Sequence, residues 1–427
     1  MTAAALSGPH GPGLAGLEIA VRAAMTTLGG QLLEQLLGAE GGHRGPRVGC
    51  AVGHHAGFVG YRDKTIHTVL GPVRLTRAWY HCRRCGHGHA PLDRQLDLVG
   101  TSRSPGLRMM IDIAAAAAPF TAASRLLADL AGVSVGAKTI ERVAEADGLA
   151  AEAEQSERAA EIVTGRLVPL PPAPRAGRPV PDMLYVAIDG TGVPMRSVET
   201  EGRKGKHPGG RARTREVKLA ALFTQTTTGP DGYPIRDCDS TSYLASFETS
   251  EVFGGLTKAA ALERGHDRLR QTVILGDGAR WIWTLADLHF PNATQIVDLF
   301  HAREHLHELA ALLAFITPDP QAWLAARLAD LDAGNIEALA AAARHYHRDL
   351  AGPIAEQVDK AVAYFETNAH RMRYAHYRAL GMFIGSGVVE AGCKAVIGQR
   401  LKLSGMHWST RGATGITTLR CQQASAA

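Results

Sequence analysis

The chain lacks a long hydrophobic run. The longest one extends from Ile113 to Phe120, far short of the ~20 residues that a membrane-spanning helix needs. The N-terminus has no basic region followed by an apolar stretch, so a secretory leader is not predicted. With 45% hydrophobic and 20% charged residues, the composition is typical of a folded globular protein and unlike that of a disordered chain. We therefore expect a cytoplasmic protein of two or three domains with no membrane partner.

Closely spaced cysteines are also scarce. Of the six cysteines, only Cys82 and Cys85 are near each other, which argues against the disulfide framework of a secreted protein and predicts reduced thiols. This pair follows two short β-like segments, a context typical of a zinc ribbon, but tetrahedral zinc needs two more ligands. Cys50 and His54 would complete a site of three cysteines and one histidine. The alternative is a set of metal-free thiols, and any zinc here would be structural.

Acidic residues are missing from two basic segments. The formal net charge is +5, and the 37 residues after Glu390 carry all of it. Their basic residues are Lys394, Arg400, Lys402, Arg411 and Arg420. The second basic segment contains Arg203, Lys204, Lys206, Arg211, Arg213 and Arg215. Localised positive charge suits a polyanion such as DNA, because neutralised phosphates release counterions. A solvated surface run is the alternative interpretation.

Changes in composition predict seven segments. Apolar residues at helical spacing from Leu17 to Leu37, including Val21, Met25, Leu28 and Leu32, predict an amphipathic helix. The segments are, in chain order, a tail and helix (1–46), a zinc-ribbon-like module (47–100), a helical helix-turn-helix region (101–165), a proline-rich linker (166–182), the first part of an α/β domain (183–301), an all-helical insertion (302–380), and a helix with a basic tail (381–427).

Within these segments the local pattern predicts individual elements. A Gly71-Pro72 turn joins two predicted ribbon strands, and a turn at residues 131–134 separates two short predicted helices. The α/β part is predicted to contain the strands Met183–Ile188, Val217–Gln225, Thr272–Leu275 and Thr294–Leu299, and the helix Ala279–Leu288.

Three acidic residues follow apolar segments: Asp189, Asp277 and Glu390. A carboxylate is costly to bury alone, so this placement is favourable when several carboxylates share a hard cation such as Mg²⁺ or Mn²⁺. Strands ending in acids, followed by a helix with a third acid, are the order of the ribonuclease-H-like fold. Two cations ~3.5–4 Å apart at such a site would support in-line displacement at phosphorus.

The amino-acid sequences of four segments resemble those of DDE transposases of bacterial insertion sequences, most closely the Kra-type group. These segments are Ala-Ile-Asp-Gly-Thr-Gly-Val-Pro, Val-Asp-Leu-Phe-His-Ala-Arg-Glu-His-Leu, Ile-Gly-Ser-Gly-Val-Val-Glu-Ala-Gly-Cys-Lys and Arg-Leu-Lys-Leu-Ser-Gly-Met-His-Trp-Ser. The resemblance covers the chain from about Cys82 to Arg420. It implies an α+β multidomain transposase with Asp189, Asp277 and Glu390 as metal ligands, DNA as the partner, and a homo-oligomer in the synaptic complex.

Several alternatives stay open. Asp298, followed by His301, is a second choice for the second catalytic acid. His301, Glu304 and His305 match the His-x-x-Glu-His pattern of a zinc protease. A domesticated DNA-binding regulator without catalysis is a third class, and an actin-like ATPase loop at Asp189 a weaker one. Trp408 is predicted either to stack on a splayed base or to pack in the core.

Overall fold

The computed structural model describes residues 13–38, 41–170, 180–205, 210–348 and 350–425. The chain is a mixed α/β protein of two compact units, residues 1–144 and 145–427. The division falls inside the segment predicted as helix-turn-helix and not at the proline-rich linker, of which residues 171–179 lie outside the described residues. No helix in the described ranges is long and apolar enough to cross a bilayer.

The first unit contains a four-stranded antiparallel sheet in the order β1-β2-β3-β4. Its elements are α1 (Gly13–Gly38), β1 (Arg47–Gly49), β2 (His55–Thr68), β3 (Gly71–His81), β4 (Gly88–His89), α2 (Pro91–Gln95), α3 (Pro105–Ala117), α4 (Phe120–Leu126) and the first turns of α5 (Ala137–Val163).

The predicted ribbon strands form the hairpin β2–β3, but the turn lies earlier than predicted. Thr68 pairs with Gly71, so residues 69–70 make the turn and Pro72 belongs to β3. The Thr68 hydroxyl accepts a hydrogen bond from Leu70 N at 3.0 Å and donates one to Gly71 O at 2.8 Å. This local bonding closes the turn at residues that lack the usual turn signals.

Helix α1 is present as predicted, but its buried face is a different one. Val21, Met25, Leu28 and Leu32 are exposed, whereas Leu33 and Leu37 pack against the core of the sheet. The buried residue of the helix is Gly30, where an added Cβ would lie 3.1 Å from Leu70 O. The helix therefore approaches the β2–β3 turn through its glycines, which a count of apolar positions does not detect.

The segment predicted as helix-turn-helix contains α4, a turn and α5. Helix α4 continues through a π-helical turn to Ala131, and Gly132 takes a left-handed conformation with φ of 69°. The Ser124 hydroxyl donates to Val135 O at 2.6 Å and so ties the turn to α4. The second helix is 27 residues long instead of short.

The second unit contains a mixed sheet in the order β10-β9-β5-β6-β7, with β8 paired to β6. Its strands are β5 (Met183–Pro194), β6 (Thr214–Thr228), β7 (Pro234–Arg236), β8 (Ser242–Ser246), β9 (Gln271–Gly276) and β10 (Thr294–Val297). The helices between them are α6 (Ser250–Glu263) and α7 (Arg280–His289). Strands β5, β9 and β10 run parallel to one another, and β6 runs antiparallel to β5.

The four predicted strands and the helix α7 are found in the second unit, with corrected bounds. Strands β5 and β6 are longer than predicted, and β10 ends at Val297 because Leu299 already begins a helix. The short strands β7 and β8 and the helix α6 were missed. Strand β8, with the sequence Ser-Tyr-Leu-Ala-Ser, carries few strand-forming residues and depends on its pairing with β6.

The predicted helical insertion is all helical in its described residues. It consists of α8 (Leu299–Leu313), α9 (Pro320–Ala333), α10 (Ile336–His347), α11 (Pro353–Asn368) and α12 (Tyr374–Ala379). Pro320 and Pro353 stand at the first turn of their helices, where a missing N–H does not break a hydrogen bond.

The chain closes with α13 (Gly387–Gly392), a π-helical segment to Gly398, α14 (Gln399–Leu401) and α15 (Thr410–Ala424). The predicted basic tail is thus mostly a packed helix. Its buried residues include Ala413, Ile416 and Leu419, and Tyr243 N in β8 donates to Ser425 Oγ at 3.0 Å.

Candidate functional site

Three aspartates stand at the same level of three adjacent parallel strands. Ala187 of β5 pairs with Leu275 of β9, and Asp189 and Asp277 each follow two residues later. Val297 of β10 pairs with Gly276, and Asp298 is the next residue in the chain. The backbone continues this register, since Asp298 N donates to Gly276 O at 2.7 Å. Sheet register therefore places all three aspartates at one edge.

The sequence predicts that Asp189 follows the end of its strand, but the residue lies inside β5. Strand β5 continues to Pro194 because β6 stays paired with it, Asp189 opposite Leu219. The pairing with β9, however, ends at Ala187. Asp189 is therefore half-buried where β5 separates from its parallel neighbour, and this opening leaves room for its side chain.

Asp298 is fully buried, and its carboxylate is occupied by three donors. It caps the N-terminus of α8, where Oδ1 accepts from His301 N at 2.7 Å and lies 3.3 Å from His301 Nδ1. Oδ2 accepts a short hydrogen bond from Ser386 N. Burial would raise the pKa of Asp298, but the hydrogen bonds from His301 and Ser386 outweigh it and hold the pKa below its ordinary value. Asp298 is therefore a charged structural cap.

His301 is held as a cation by this cap. Its hydrogen bond to Asp298 raises the pKa of His301 to about 9, and the charges of Asp298 and Asp277 add to the rise against the effect of burial. Nδ1 also lies 4.0 Å from Glu390 Oε1. A positive imidazolium thus stands between the buried Asp298 and the acids that face the solvent.

Glu390 comes to this edge on the short helix α13. Oε1 accepts from Ser386 Oγ at 3.1 Å, and Leu299 N donates to Ile384 O at 3.0 Å, so the segment before α13 is bound to the start of α8. Ligand atoms of Asp298, His301 and Glu390 all lie within 4.8 Å of one another. In the described residues this compact cluster includes neither Asp189 nor Asp277.

Asp189 is linked to the same edge through Cys393. Burial raises the pKa of Asp189 above its ordinary value, a hydrogen bond from the Cys393 thiol opposes the rise, and the nearby charge of Asp277 adds to it. Asp189 Oδ1 accepts from Gly190 N at 2.6 Å. A carboxylate whose charge is disfavoured by burial and by a second carboxylate is suited to a cation.

Asp277 is positioned by a tyrosine of the helical insertion. Tyr364 Oη of α11 donates to the Asp277 carbonyl at 3.0 Å, while Asp277 Oδ1 accepts from Ala279 N at 2.8 Å. The Tyr364 ring packs on His305 of α8 at 4.0 Å between centroids. Gly278 has φ of 100°, and a Cβ there would lie 2.5 Å from Tyr364 Cε2. Tyr364 was not among the predicted site residues, because no motif surrounds it in the sequence.

We expect Gly278→Ala to destabilise the second unit by about 1–3 kcal/mol more than Gly202→Ala does, as measured by urea unfolding. Both glycines have positive φ, so both alanines are strained, but a Cβ at Gly202 meets no atom within 4 Å. The excess therefore reports the collision with Tyr364 together with the greater backbone strain of an alanine at φ of 100° than at 71°. Equal losses for the two variants would show that the Tyr364 ring moves aside freely.

A second cluster lies in the first unit. Ligand atoms of Cys50, His54, Cys82 and Cys85 all lie within 4.8 Å of one another. Cys50 Sγ is 3.9 Å from Cys85 Sγ, and Cys82 Sγ is 3.9 Å from His54 Nδ1. Zn–S bonds of about 2.3 Å at tetrahedral angles give separations of roughly 3.8 Å. Backbone N–H groups, that of Cys85 foremost, lower the pKa of the Cys82 thiol to about 6, which favours the thiolate that zinc binds.

Six of the predicted DNA-binding cations are exposed. The exposed ones are Arg203, Lys204, Arg211, Arg213, Lys394 and Lys402. Lys206 lies outside the described residues, and the half-buried Arg215 donates to Thr410 Oγ1 at 2.6 Å. Ala212 N donates a hydrogen bond to Arg203 O at 3.1 Å, so the described parts of this basic segment pair with each other across a loop.

Arg400 and Trp408 are inside the core. Arg400 is 0% exposed and Trp408 is 6% exposed, with the guanidinium 5.0 Å from the indole centroid. Trp408 Nε1 donates to Leu401 O at 2.9 Å, and Trp408 N donates to Pro194 O at 3.1 Å. Of the two alternatives for Trp408, this environment favours core packing, and the same holds against a DNA contact by Arg400.

The His301-x-x-Glu304-His305 pattern does not form one site. His301 faces Asp298, whereas His305 packs on Tyr364 and lies 3.5 Å from Glu308. Glu304 is exposed. This arrangement does not favour a protease zinc site.

Neither a protein-family model nor a curated protein gives a match to this chain. The function is therefore inferred from the chemistry of the site.

Proposed function

We propose that this protein is a DDE-type DNA transposase that binds the ends of an insertion sequence and cleaves and joins DNA strands by metal-dependent phosphoryl transfer. The observation that carries the proposal is that the register of three parallel strands places Asp189, Asp277 and Asp298 at the same height, with Glu390 close to Asp298 and His301. The strand order, with β5 central between antiparallel β6 and parallel β9, supports a ribonuclease-H-like domain with a helical insertion after its last strand.

The donor set fits Mg²⁺ or Mn²⁺. Asp189, Asp277 and Glu390 supply carboxylate oxygens, the ligands that hard cations prefer, and all three are partly open to solvent. Bound there, the cations would supply Lewis-acid stabilisation of charge on the attacking and leaving oxygens at phosphorus. Asp298 is a poorer ligand, because its buried oxygens already accept hydrogen bonds from His301 and Ser386.

The residues around the acids keep them in place. Asp298 holds the protonated His301 next to Glu390, and that positive charge offsets part of the repulsion among the carboxylates before DNA binds. Tyr364 fixes the backbone at Asp277, and Cys393 donates to Asp189. Each acid is thus pre-oriented by a partner from a different part of the chain.

In the first unit, Cys50, His54, Cys82 and Cys85 would hold one structural zinc ion. The short distances among their ligand atoms support this assignment. The zinc-ribbon-like hairpin and the helix-turn-helix α4–α5 would together recognise the DNA ends.

A DNA-binding regulator without catalysis is the second candidate. It would need the same basic surface but no acids. The test is to incubate the protein with DNA from either side of its own coding sequence and Mg²⁺ and to map the nicks. Specific binding without nicks would favour the regulator.

We expect that replacing Arg203, Lys204, Arg211 and Arg213 by Gln weakens DNA binding for all sequences. These exposed residues stand on the loop that joins β5 to β6, and lost phosphate contacts should reduce the slope of log affinity against log salt by up to roughly 3–4. Titration of labelled end DNA at several salt concentrations measures this slope.

The matched control replaces Arg203, Arg211 and Arg213 by lysine, which keeps the charge and should keep the slope. An unchanged slope in the Gln variant would show that the loop is a solvated surface and that DNA follows another path, such as past Lys394 and Lys402.

A further inference from the structure

An aromatic ring stands exposed next to the candidate acids. Phe300 is the second residue of α8, between Asp298 and His301, and it is 59% exposed. Its neighbour Leu299 is buried. The first turn of α8 therefore sends Leu299 into the core, His301 towards Glu390, and the Phe300 ring to the surface.

The ring is in contact with the segment that carries Glu390. A Cβ added at Gly385 would lie 3.2 Å from Phe300 Cε2 and 3.6 Å from Asp298 Oδ2. The next residue, Ser386, donates from N to Asp298 and from Oγ to Glu390. Phe300, Gly385 and the acid cluster are thus direct neighbours, and a glycine at 385 keeps the space that the ring edge occupies.

Three other aromatic rings of the second unit already have partners. Tyr364 is bonded to the Asp277 carbonyl, and Trp408 is buried against Arg400. Phe383 packs edge-on against Tyr185 and Phe223. A single exposed apolar side chain is ordinary. Packing does not explain, however, why an exposed aromatic ring directly precedes His301 of the Asp298, His301 and Glu390 cluster.

We propose that Phe300 is the stacking platform for a nucleobase of the DNA strand bound at the acids. The inference rests on the proposed function and adds that the strand is unstacked next to the reacting phosphate. Acids hold the phosphate end of such a nucleotide through cations, whereas an aromatic face binds its base in a sequence-tolerant way. Displacing a base from the duplex also exposes the backbone, and a stacking ring offsets part of the lost pairing.

The experiment compares wild type, Phe300→Ala, Phe300→Trp and the control Phe315→Ala. Phe315 is 66% exposed just beyond the other end of α8, roughly 20 Å from Phe300 along the helix. We expect Phe300→Ala to slow cleavage of end DNA about 5- to 100-fold. Phe300→Trp should restore most of the rate, and Phe315→Ala should leave it unchanged. Equal melting temperatures for all four proteins exclude a folding defect.

A readout without cleavage uses 2-aminopurine, placed in turn at each nucleotide flanking the mapped nick, with Asp189→Asn as the background. One position should change in fluorescence on binding, and Phe300→Ala should abolish that change. A mismatch at this position should bring the cleavage rate of Phe300→Ala closer to that of wild type, because the base is already unpaired.

The outcomes separate the two proposals. If wild type binds and cleaves DNA but Phe300→Ala behaves like Phe315→Ala in both assays, the stacking role is overturned and the transposase proposal stands. If wild type binds DNA without cleaving it, no reacting phosphate exists for a stacked base to flank, and both proposals are overturned. If wild type binds no DNA, both proposals are overturned.

Discussion

Replacing Asp189, Asp277 or Glu390 by alanine is expected to abolish strand cleavage, with a loss of at least about 1,000-fold, while binding of end DNA persists. Each acid would contribute an oxygen ligand to a cation whose charge stabilisation is worth several kcal/mol. Binding depends instead on the basic loop and the first unit. Nicking assays with radiolabelled ends give the rates, and gel-shift titration gives the affinity.

Asp298 and Asp231 provide the controls. Asp298→Asn removes a buried charge that caps α8 and orients His301, so we expect a slower enzyme, by about 10–100-fold, and a lower melting temperature. Asp231 is exposed in the loop between β6 and β7, and Asp231→Ala should cleave normally. Near-normal cleavage by Asp277→Ala, together with a complete loss in Asp298→Ala, would assign the second ligand to Asp298 instead.

Removing zinc is expected to unfold the ribbon of the first unit. Purified protein should contain about one zinc ion per chain, and Cys85→Ser or a strong chelator should remove it. The binding energy of a structural zinc, about 10–16 kcal/mol in small domains, exceeds the stability that a small cluster such as Ala56, Ala78 and Tyr80 can provide. Elemental analysis, circular dichroism and gel shifts measure the three effects.

The expected defect of Cys85→Ser is in end binding, whereas the acids and the chemistry of the second unit stay intact. Cys238→Ser is the control, because Cys238 is exposed in the second unit and outside the cluster. If protein prepared without chelator contains no zinc, the cysteine–histidine cluster is not a structural zinc site.

The alignment of the three aspartates across neighbouring strands shows what the sequence could and could not predict. Apolar runs followed by Asp-Gly mark where a buried strand meets a turn, so the positions of Asp189 and Asp277 were evident locally. Their relation was not, because it depends on the register between β5, β9 and β10, which is set by pairing across about a hundred residues. Asp298 also follows an apolar run, although Leu299 and not a glycine comes after it. Only the donors from His301 and Ser386 distinguish a structural cap from a ligand.

The four residues of the cysteine–histidine cluster were likewise identifiable by type and spacing, whereas their convergence required the hairpin β2–β3 to bring Cys82 and Cys85 to the loop of Cys50 and His54. Burial was the property that local patterns predicted least well. The apolar stripe predicted to be the buried face of α1 lies at the surface, whereas Trp408 lies in the core, which was one of its two predicted environments.

By itself the sequence determined the spacing of apolar residues in each main helix and strand. It also determined the charge of the basic segments and the identity of the acids and of the cysteine–histidine set. These depend on residue type and on neighbours within a few positions. The tertiary structure decided which face each helix buries, which aspartate is enclosed, and that Phe300 and Tyr364 flank the acids. Such properties depend on contacts such as Tyr364 with Asp277 and Phe300 with Gly385. Contacts between residues more than eighty positions apart leave no periodic signal in the chain.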